Sequence, residues 1–246
     1  MNSDESERYG RHLQLEGFGE PAQRSLLSSH AVIIGVGGLG SAVAYYLAAA
    51  GVGEISLVDF DVVELSNLQR QIIHFSDDIG KLKVDSAAEQ LKALNPGIKI
   101  NAIRQALGKT ELCTLAKATD VFIDCCDNFS TRFELNQVCV ESKTPLVSGS
   151  VIRYEGQVCV FDSRDSESPC YQCLYQPVNE GEGETCSQTG VLASAPGIIG
   201  SIQATEAIKI LAQIPVVPGK LLVMDAKTME WRSIRVPKDP ACTVCR

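Results

Sequence analysis

The chain has 246 residues, of which 45% are hydrophobic and 21% charged, and its formal net charge is −8. A chain of this length and composition buries a sizeable core and fits one large α/β domain or two small ones. Because it is acidic and has no basic tract, it is poorly suited to bind nucleic acid or an anionic membrane. We therefore expect neither of these among its partners.

The first residues and the cysteine content bear on the cellular compartment. Residues 1–7 are polar and acidic, unlike the basic and apolar opening of a signal peptide. No apolar run in the sequence reaches the length that spans a bilayer. We therefore predict a cytoplasmic protein, in which ten cysteines indicate metal ligands, reactive thiols and buried small residues rather than disulfides.

The first 150 residues alternate between short apolar runs and helical patterns. The segment 1–30 is predicted to be helical. The predicted strands are 31–34, 54–59, 99–103, 120–124 and 145–149, and the predicted helices are 41–50, 81–94 and 131–141. This alternation predicts a Rossmann-like, doubly wound and mostly parallel α/β sheet.

The pattern changes after residue 150. The predicted elements here are an alternating strand at 154–161, a helix at 197–212, and a hairpin of strands at 221–225 and 230–236. We expect these antiparallel strands to continue the same sheet. The chain is therefore predicted to be a single domain over 1–246, with a nucleotide-binding half (1–150) and a second half (151–246).

A glycine-rich loop joins the first strand to the following helix, with glycines at 35, 37, 38 and 40. Glycines Gly35, Gly37, Gly38 and Gly40 permit a tight turn and a close approach of the backbone to a phosphate, which the free amides of a helix start can bind. Asp59 ends the next strand about twenty residues further on and can accept hydrogen bonds from ribose hydroxyls. The pattern predicts an adenosine-containing nucleotide, of which NAD is the commonest; a packing turn is the alternative.

Polar side chains follow two of the predicted strand ends, where ligands bind in such sheets. The candidates for binding the nucleotide are Ser66, Asn67, Gln69, Arg70, Lys83, Asp127 and Asn128. Arg70 offers a bidentate fork to phosphates, Lys83 is a second cation, and Asp127 can hold Mg²⁺ on a triphosphate. Each charge alone could be a solvated surface residue, but together they favour nucleotidyl transfer over hydride transfer.

Two Cys-x-x-Cys pairs lie far apart in the second half: Cys170 with Cys173, and Cys242 with Cys245. This spacing lets both thiolates of a pair reach one tetrahedral ion. The four thiolates predict one shared Zn²⁺ with no open coordination position, which is typical of a structural site. Two independent redox or disulfide pairs are the alternative.

These motifs carry a family resemblance in chain order, from Arg8–Arg11 to Cys245. The segments 35–40, 66–70 and 124–128, with both cysteine pairs, resemble the bacterial relatives of ubiquitin-activating enzymes. These are the HesA/MoeB/ThiF adenylyltransferases, which activate sulfur-carrier proteins. The segments 147–157 and 200–209 look most like the members that serve molybdopterin synthase in molybdenum cofactor biosynthesis, with those of the thiamine pathway second.

The resemblance implies a reaction and a partner. The C-terminal glycine of a small ubiquitin-like protein ending in Gly-Gly would attack the α-phosphate of ATP, giving an acyl-adenylate and pyrophosphate. The implied nucleotide and Mg²⁺ residues are Gly38, Asp59, Asn67, Arg70, Lys83 and Asp127. Arg11 matches an arginine that such enzymes donate across a homodimer interface, and the second half would bind the carrier.

Cys186 matches a cysteine that receives the activated carboxylate or a sulfur in some relatives, and a spectator thiol is the alternative. Exposure and pKa decide between these two roles, because they control thiol reactivity.

Three other functions remain open at this stage. The same glycine loop could serve an NAD-dependent oxidoreductase. A second possibility is a module that docks a ubiquitin-like partner without chemistry, which the presence of Arg11, Arg70, Lys83 and Asp127 argues against. A third is ATP-dependent cyclisation of a tRNA-bound threonylcarbamoyl group, which the acidic charge and the short chain disfavour.

Overall fold

The computed structural model describes residues 1–176 and 189–246. The strands of this described part are β1 (His30–Ile34), β2 (Glu54–Val58), β3 (Lys99–Ile103), β4 (Val121–Asp124), β5 (Leu146–Ile152), β6 (Glu155–Phe161), β7 (Lys220–Asp225) and β8 (Glu230–Arg235). They form an eight-stranded sheet in the order β3-β2-β1-β4-β5-β6-β7-β8. Strands β1 to β5 are parallel, and β6 to β8 are antiparallel. The predicted fold class is confirmed.

The helices of the described residues are α1 (Ser3–Arg8), α2 (Gly10–Leu13), α3 (Gly19–Ser28), α4 (Gly38–Ala50), α5 (Lys83–Leu94), α6 (Lys109–Ala116), α7 (Phe129–Ser142), α8 (Tyr171–Leu174) and α9 (Ser194–Leu211). The sequence did not predict α6, and α4 begins three residues earlier than expected, inside the glycine loop. None of the described helices combines the length and the apolar composition that crossing a membrane requires.

Helices cover both faces of the parallel strands, which explains why β1 is an uninterrupted apolar run from residue 31 to 34. Helices α4, α5 and α9 pack on one face, whereas α6 and α7 pack on the other. Helix α4 is built from small residues because α9 lies close to it: a Cβ added at Gly200 would be 2.6 Å from the carbonyl oxygen of Leu39. The helix ends at Ala50, and its C-cap Gly51 has a left-handed φ of 84°.

The strand order reverses direction at β1, which lies between β2 and β4. The connections that follow β1 and β4 therefore run to opposite faces of the sheet. This leaves a crevice at the carboxyl ends of the strands. Ligands of doubly wound sheets bind at this position. The glycine loop, Asp59 and the segment after Asp124 meet here because each directly follows one of the three strands.

Candidate functional site

A cavity of about 440 Å³ lies at the carboxyl ends of β1, β2 and β4. Its volume is in the range of small-molecule and cofactor sites. Among the predicted nucleotide-binding residues, those that line it are Gly35, Gly37, Gly38, Asp59, Arg70, Lys83, Asp127 and Asn128. Residues separated by almost a hundred positions in the sequence therefore share one concave surface.

The four glycines of the loop have different roles. Gly35 has a φ of +92°, and a Cβ there would lie 2.7 Å from the carbonyl oxygen of Cys125. A Cβ at Gly40 would lie 2.1 Å from the carbonyl oxygen of Gly35, so Gly40 permits close packing of α4 on β1 and is not among the described residues lining the cavity. Gly37 and Gly38 do line it, and they begin a 13-residue helix whose first amides are suited to an anion.

Asp59 fastens the glycine loop to the end of β2. Its Oδ2 accepts a hydrogen bond from the backbone N–H of Val36 at 2.7 Å, and its Oδ1 accepts one from the N–H of Asp61 at 2.9 Å. Each carboxylate oxygen has a second lone pair, so both can still accept a hydrogen bond from a ribose hydroxyl. The position that the sequence predicts for ribose recognition therefore also shapes the loop.

The two predicted cations lie on different elements. The Lys83 side chain, at the start of α5, is 8% exposed, and its Nζ lies 2.7 Å from Oδ2 of Asp61. Arg70 donates from Nη1 to the carbonyl oxygen of Ser66 at 3.1 Å, and its Cγ would lie 3.5 Å from a Cβ added at Gly38. Sequence reasoning did not single out Asp61, although its spacing of two from Asp59 after a strand end was a usable signal.

Three of the predicted residues in the loop after β2 are not among the described residues that line the cavity. Asn67 is buried, and its Oδ1 accepts a hydrogen bond from the N–H of Glu64 at 3.2 Å. The Ser66 hydroxyl donates to Oε2 of Glu64 at 3.2 Å, and Gln69 is exposed. Asn67 and Ser66 stabilise the turn that presents Arg70. Nucleotide contact by Ser66, Asn67 and Gln69 stays a prediction.

Asp127 and Asn128 follow β4 at the other side of the cavity. Asp127 is exposed and lines the cavity. Asn128 is the N-cap of α7: its Oδ1 accepts a hydrogen bond from the N–H of Thr131 at 2.9 Å. The Asp127 side chain does not cap α7. Its carboxylate can therefore bind a cation.

Arg132 lines the cavity and belongs to a buried ion pair that sequence reasoning missed. Arg132 lies 3.3 Å from Oδ2 of Asp124 through Nη1, and it donates from Nη2 to the carbonyl oxygen of Gly149 at 2.9 Å. Burial favours a lower pKa for the Arg132 guanidinium, but the Asp124 carboxylate overrides this and raises it. Arg132 therefore stays charged and joins α7 to β4 and β5. An isolated arginine within a helix carries no sequence signal for such a pairing.

Cys125 and Cys126 also line the cavity. Burial, reinforced by the charge of Asp124, raises the pKa of both thiols. The Cys126 Sγ donates to Oδ1 of Asp124 at 2.8 Å. Both cysteines are therefore neutral thiols near pH 7.

Two predicted catalytic residues lie apart from this cavity or outside the description. Arg11 is exposed on α2, its Nη1 is 3.4 Å from Oε1 of Gln14, and it is not among the described cavity residues. Its contribution to a neighbouring subunit stays a prediction. Cys186 lies outside the described residues, and its role also stays a prediction.

The four cysteines of the two Cys-x-x-Cys pairs meet in one cluster. The Sγ atoms of Cys170, Cys173, Cys242 and Cys245 all lie within 4.8 Å of one another. Cys170 and Cys242 are 3.7 Å apart, and Cys173 and Cys245 are 3.4 Å apart. Tetrahedral coordination with metal–sulfur bonds of about 2.3 Å separates sulfurs by about 3.8 Å. The donor set therefore fits one metal ion.

The surroundings of this four-cysteine cluster support thiolate ligands. Asn136 donates from Nδ2 to Sγ of Cys170 at 3.6 Å, and the N–H of Asp239 donates to Sγ of Cys173 at 3.4 Å. Burial raises the pKa of Cys170 to about 11, and a bound cation would reverse this by stabilising the thiolate. The four-cysteine cluster could hold a metal ion that joins α8 to the segment after β8.

Comparisons with known proteins identify the family. The ThiF family model matches residues 9–244. Over all of this chain, the sequence is 44% identical to the molybdopterin-synthase adenylyltransferase of Escherichia coli K12, of which it covers 98%. It is 40% identical, again over all of the chain, to the sulfur carrier protein ThiS adenylyltransferase of the same organism, of which it covers 97%.

A solved structure shares the fold. The crystal structure of E. coli MccB with MccA-N7isoASN superposes with a TM-score of 0.84 at 25% identity, covering 99% of this chain and 75% of that one. The eight-stranded mixed sheet with a cavity at its switch point gives the α/β fold class, and the match to the family model gives the family. The chain belongs to the ThiF family, and the enzyme class of its relatives is adenylyltransferase. This favours adenylyl transfer over hydride transfer.

Proposed function

We propose that the protein uses ATP to adenylylate the C-terminal glycine of a small ubiquitin-like sulfur-carrier protein. The observation that carries the proposal is the meeting of Arg70, Lys83 and Asp127 with the glycine turn in one cavity. The small subunit of molybdopterin synthase is the favoured carrier, because the relative named for that enzyme is 44% identical to this chain. The thiamine-pathway carrier is second, at 40% for the relative named for ThiS.

The chemistry explains why the cations Arg70 and Lys83 line the cavity. An oxygen of the carrier's C-terminal carboxylate would attack the α-phosphorus, and the bond from that phosphorus to the bridging oxygen would break, releasing pyrophosphate. The attacking carboxylate is already ionised, so no general base is needed. Charge neutralisation and alignment are what such a transfer requires, and Arg70 and Lys83 would supply them from two sides of the glycine turn.

The residues present also fit the two metals that the proposal includes. Asp127 would hold Mg²⁺, which would neutralise part of the phosphate charge. The four-cysteine cluster would hold Zn²⁺, because four sulfur ligands and no open position match a structural zinc site. In this proposal zinc takes no part in the reaction, and its task is to hold α8 against the C-terminal segment.

The proposal extends to assembly and organisation. Residues 1–246 would form one domain, with 1–150 binding the nucleotide and 151–246 binding the carrier and zinc. Because Arg11 is exposed on α2 and not in its own cavity, it would act in the site of a second subunit of a homodimer. Cys186 would either take the acyl group from the adenylate as a thioester, with AMP leaving, or take a sulfane sulfur from a persulfide donor, whose thiol leaves. The ten cysteines support a cytoplasmic location.

The experiment that tests the function is ATP–pyrophosphate exchange, measured with each candidate carrier in turn. We expect exchange that requires both Mg²⁺ and a carrier with a free C-terminal Gly-Gly, and none with a carrier that lacks its last glycine. The carrier that gives the highest kcat/KM identifies the physiological partner. Absence of exchange with every ubiquitin-like carrier, by a protein that is folded and binds ATP, would refute the proposed function.

A further inference from the structure

Gln71 is a buried side chain on the cavity wall that lacks part of its hydrogen bonding. It is 4% exposed and lines the cavity next to Arg70. Within residues 1–176 and 189–246, its Oε1 has no hydrogen-bond partner. Every other buried side-chain nitrogen or oxygen atom of these described residues has one. Sequence reasoning gave it no role, although it assigned one to four residues of the preceding segment 66–70.

Two other buried glutamines, Gln23 and Gln203, have structural roles, and their side-chain amides are hydrogen-bonded. Gln23 donates from Nε2 to the carbonyl oxygen of Ala50 at 2.8 Å, and its Oε1 lies 2.9 Å from Nδ1 of His12. Gln203 donates from Nε2 to the carbonyl oxygen of Asp124 at 2.7 Å. A buried polar group without partners destabilises a fold, and such exceptions concentrate where function requires them.

The position of the Gln71 amide indicates what it binds. Its Nε2 would lie 3.5 Å from a Cβ added at Gly37, the N-cap of α4. Gly37 has no side chain, so this space is open to a ligand. The amide N–H group of Gln71, the first turn of α4 and the guanidinium of Arg70 are therefore adjacent. All three are hydrogen-bond donors, and a common acceptor for such donors is an anionic oxygen.

We propose that Gln71 is a phosphate-positioning residue, which donates from Nε2 to a phosphate oxygen of the nucleotide held at the glycine turn. The inference rests on the proposed use of ATP. It adds a neutral hydrogen-bond donor to the two cations, Arg70 and Lys83, that are proposed to bind the phosphates. A neutral donor fixes the direction of one phosphate oxygen without adding charge. The unsatisfied Oε1 destabilises the folded state, and this loss of stability accompanies the placement of Nε2 at the cavity.

The test compares two substitutions at this position with one at a fully bonded glutamine. Gln71→Met keeps the length of the side chain and removes both polar atoms, whereas Gln71→Glu replaces the donor with a carboxylate that repels phosphate. Gln23→Met is the matched control for stability. Isothermal titration calorimetry measures Kd for ATP with Mg²⁺ and Kd for adenosine, and thermal unfolding without ligand measures Tm.

We expect Gln71→Met to weaken ATP binding by about 10-fold to 100-fold, the range for a hydrogen bond to a charged group, and Gln71→Glu to weaken it further. Adenosine binding should not change in either variant, because adenosine has no phosphate. The Tm of Gln71→Met should equal or exceed that of the wild type, since the substitution removes an unsatisfied buried oxygen. Gln23→Met should lower Tm, because it breaks two hydrogen bonds.

Several results would overturn this assignment. If Gln71→Met binds ATP as the wild type does, Gln71 makes no such contact, and if it weakens adenosine as much as ATP, the contact is not with phosphate. If its Tm falls as far as that of Gln23→Met, its role is structural. In all three cases a wild type that exchanges pyrophosphate leaves the proposed function intact. A wild type that does not bind ATP refutes both proposals.

Discussion

The Lys83 ammonium lies 2.7 Å from the Asp61 carboxylate, and the two residues are unequally exposed: the side chain of Lys83 is 8% accessible and that of Asp61 is 52%. Asp61 is thus the countercharge that keeps a buried cation at the wall of the cavity. Lys83 is one of the two cations proposed to bind phosphates. A phosphate bound by Lys83 would therefore lie next to this ion pair.

We predict that Asp61→Asn lowers the free energy of unfolding by about 1–3 kcal/mol, between the values for exposed and buried ion pairs, because Lys83 loses its countercharge. Added ATP should raise the Tm of this variant more than that of the wild type, since phosphates replace the lost charge. Differential scanning fluorimetry with and without ATP measures both effects.

The exposed pair of Arg104 with Asp85 is the control for Asp61→Asn. Asp85→Asn should change Tm little and leave the shift caused by ATP as it is in the wild type. An ATP-induced shift in Asp61→Asn no larger than that of the wild type would mean that Lys83 does not meet the phosphates.

A second prediction concerns Asp127, which is exposed at the cavity and has no capping task in α7. Asp127→Ala should abolish adenylylation, because the phosphate charge loses the cation that this carboxylate is proposed to hold. Folding and zinc content should not change. Pyrophosphate exchange, far-UV circular dichroism and metal analysis of the same preparation test this. Glu134→Ala, an exposed acid on α7, should remain active, and near-normal turnover of Asp127→Ala would refute the role.

Arg70→Ala should be similarly impaired, and the loss should appear in the chemical step as well as in ATP affinity. The reason is that a guanidinium beside the glycine turn stabilises the charge that develops on the transferred phosphorus. Single-turnover formation of the adenylate at saturating ATP separates the two contributions. A rate equal to that of the wild type under these conditions would limit Arg70 to binding.

A further prediction tests sharing of Arg11 between subunits. Mixtures of inactive Arg11→Ala and inactive Asp127→Ala protein should recover part of the wild-type activity, because one of the two sites in a mixed dimer regains both residues. Activity is measured after subunit exchange has been verified with differently tagged proteins. No recovery in exchanged dimers would show that Arg11 does not act in trans.

The four-cysteine cluster leads to a prediction about stability. Wild-type protein should contain one zinc per chain, and Cys242→Ser should lose metal and stability together, with activity falling only as the protein unfolds. Elemental analysis beside thermal unfolding measures this. Cys113→Ser, outside the cluster, and Cys186→Ala should both keep zinc. A stable, active and metal-free wild type would end the zinc interpretation.

His74 makes stability depend on pH. Burial lowers the pKa of its imidazole, whose Nε2 lies 3.1 Å from the carbonyl oxygen of Val36 and must donate to it. The folded state therefore resists a proton that the unfolded chain accepts near pH 6.5. Below that pH the unfolded state binds more protons, so the free energy of unfolding should decrease as pH falls from 7.5 to 5.5.

His74→Gln should remove this contribution, so its free energy of unfolding should decrease less between pH 7.5 and 5.5. The variant should be less stable than the wild type at pH 7.5, because a hydrogen bond to the glycine loop is lost. Urea unfolding at several pH values between 5.5 and 7.5 provides the comparison. Equal decreases in the variant and the wild type would assign the pH dependence to other groups.

Local patterns in the sequence were sufficient for most of the fold. Apolar runs, an alternating segment and a hairpin pattern predicted the eight strands to within a few residues because such patterns depend on short segments. Helix α6 was missed because its eight residues bury only Leu112 and Ala116, too few for a clear period. Helix α4 begins at Gly38 rather than Ser41 because the tertiary contact with β1 overrides the poor helix propensity of glycine.

The sequence by itself identified candidate residues that are close together or regularly spaced: the glycine loop, Arg70 and the two cysteine pairs. Only the tertiary structure decided which neighbours share the cavity. It brought in Gln71, Asp61 and Arg132 and left Ser66, Asn67 and Gln69 outside its lining. The physical reason is that spacing in sequence fixes direction along one turn or strand, whereas a contact such as that of Arg132 with Asp124 depends on how separate elements pack.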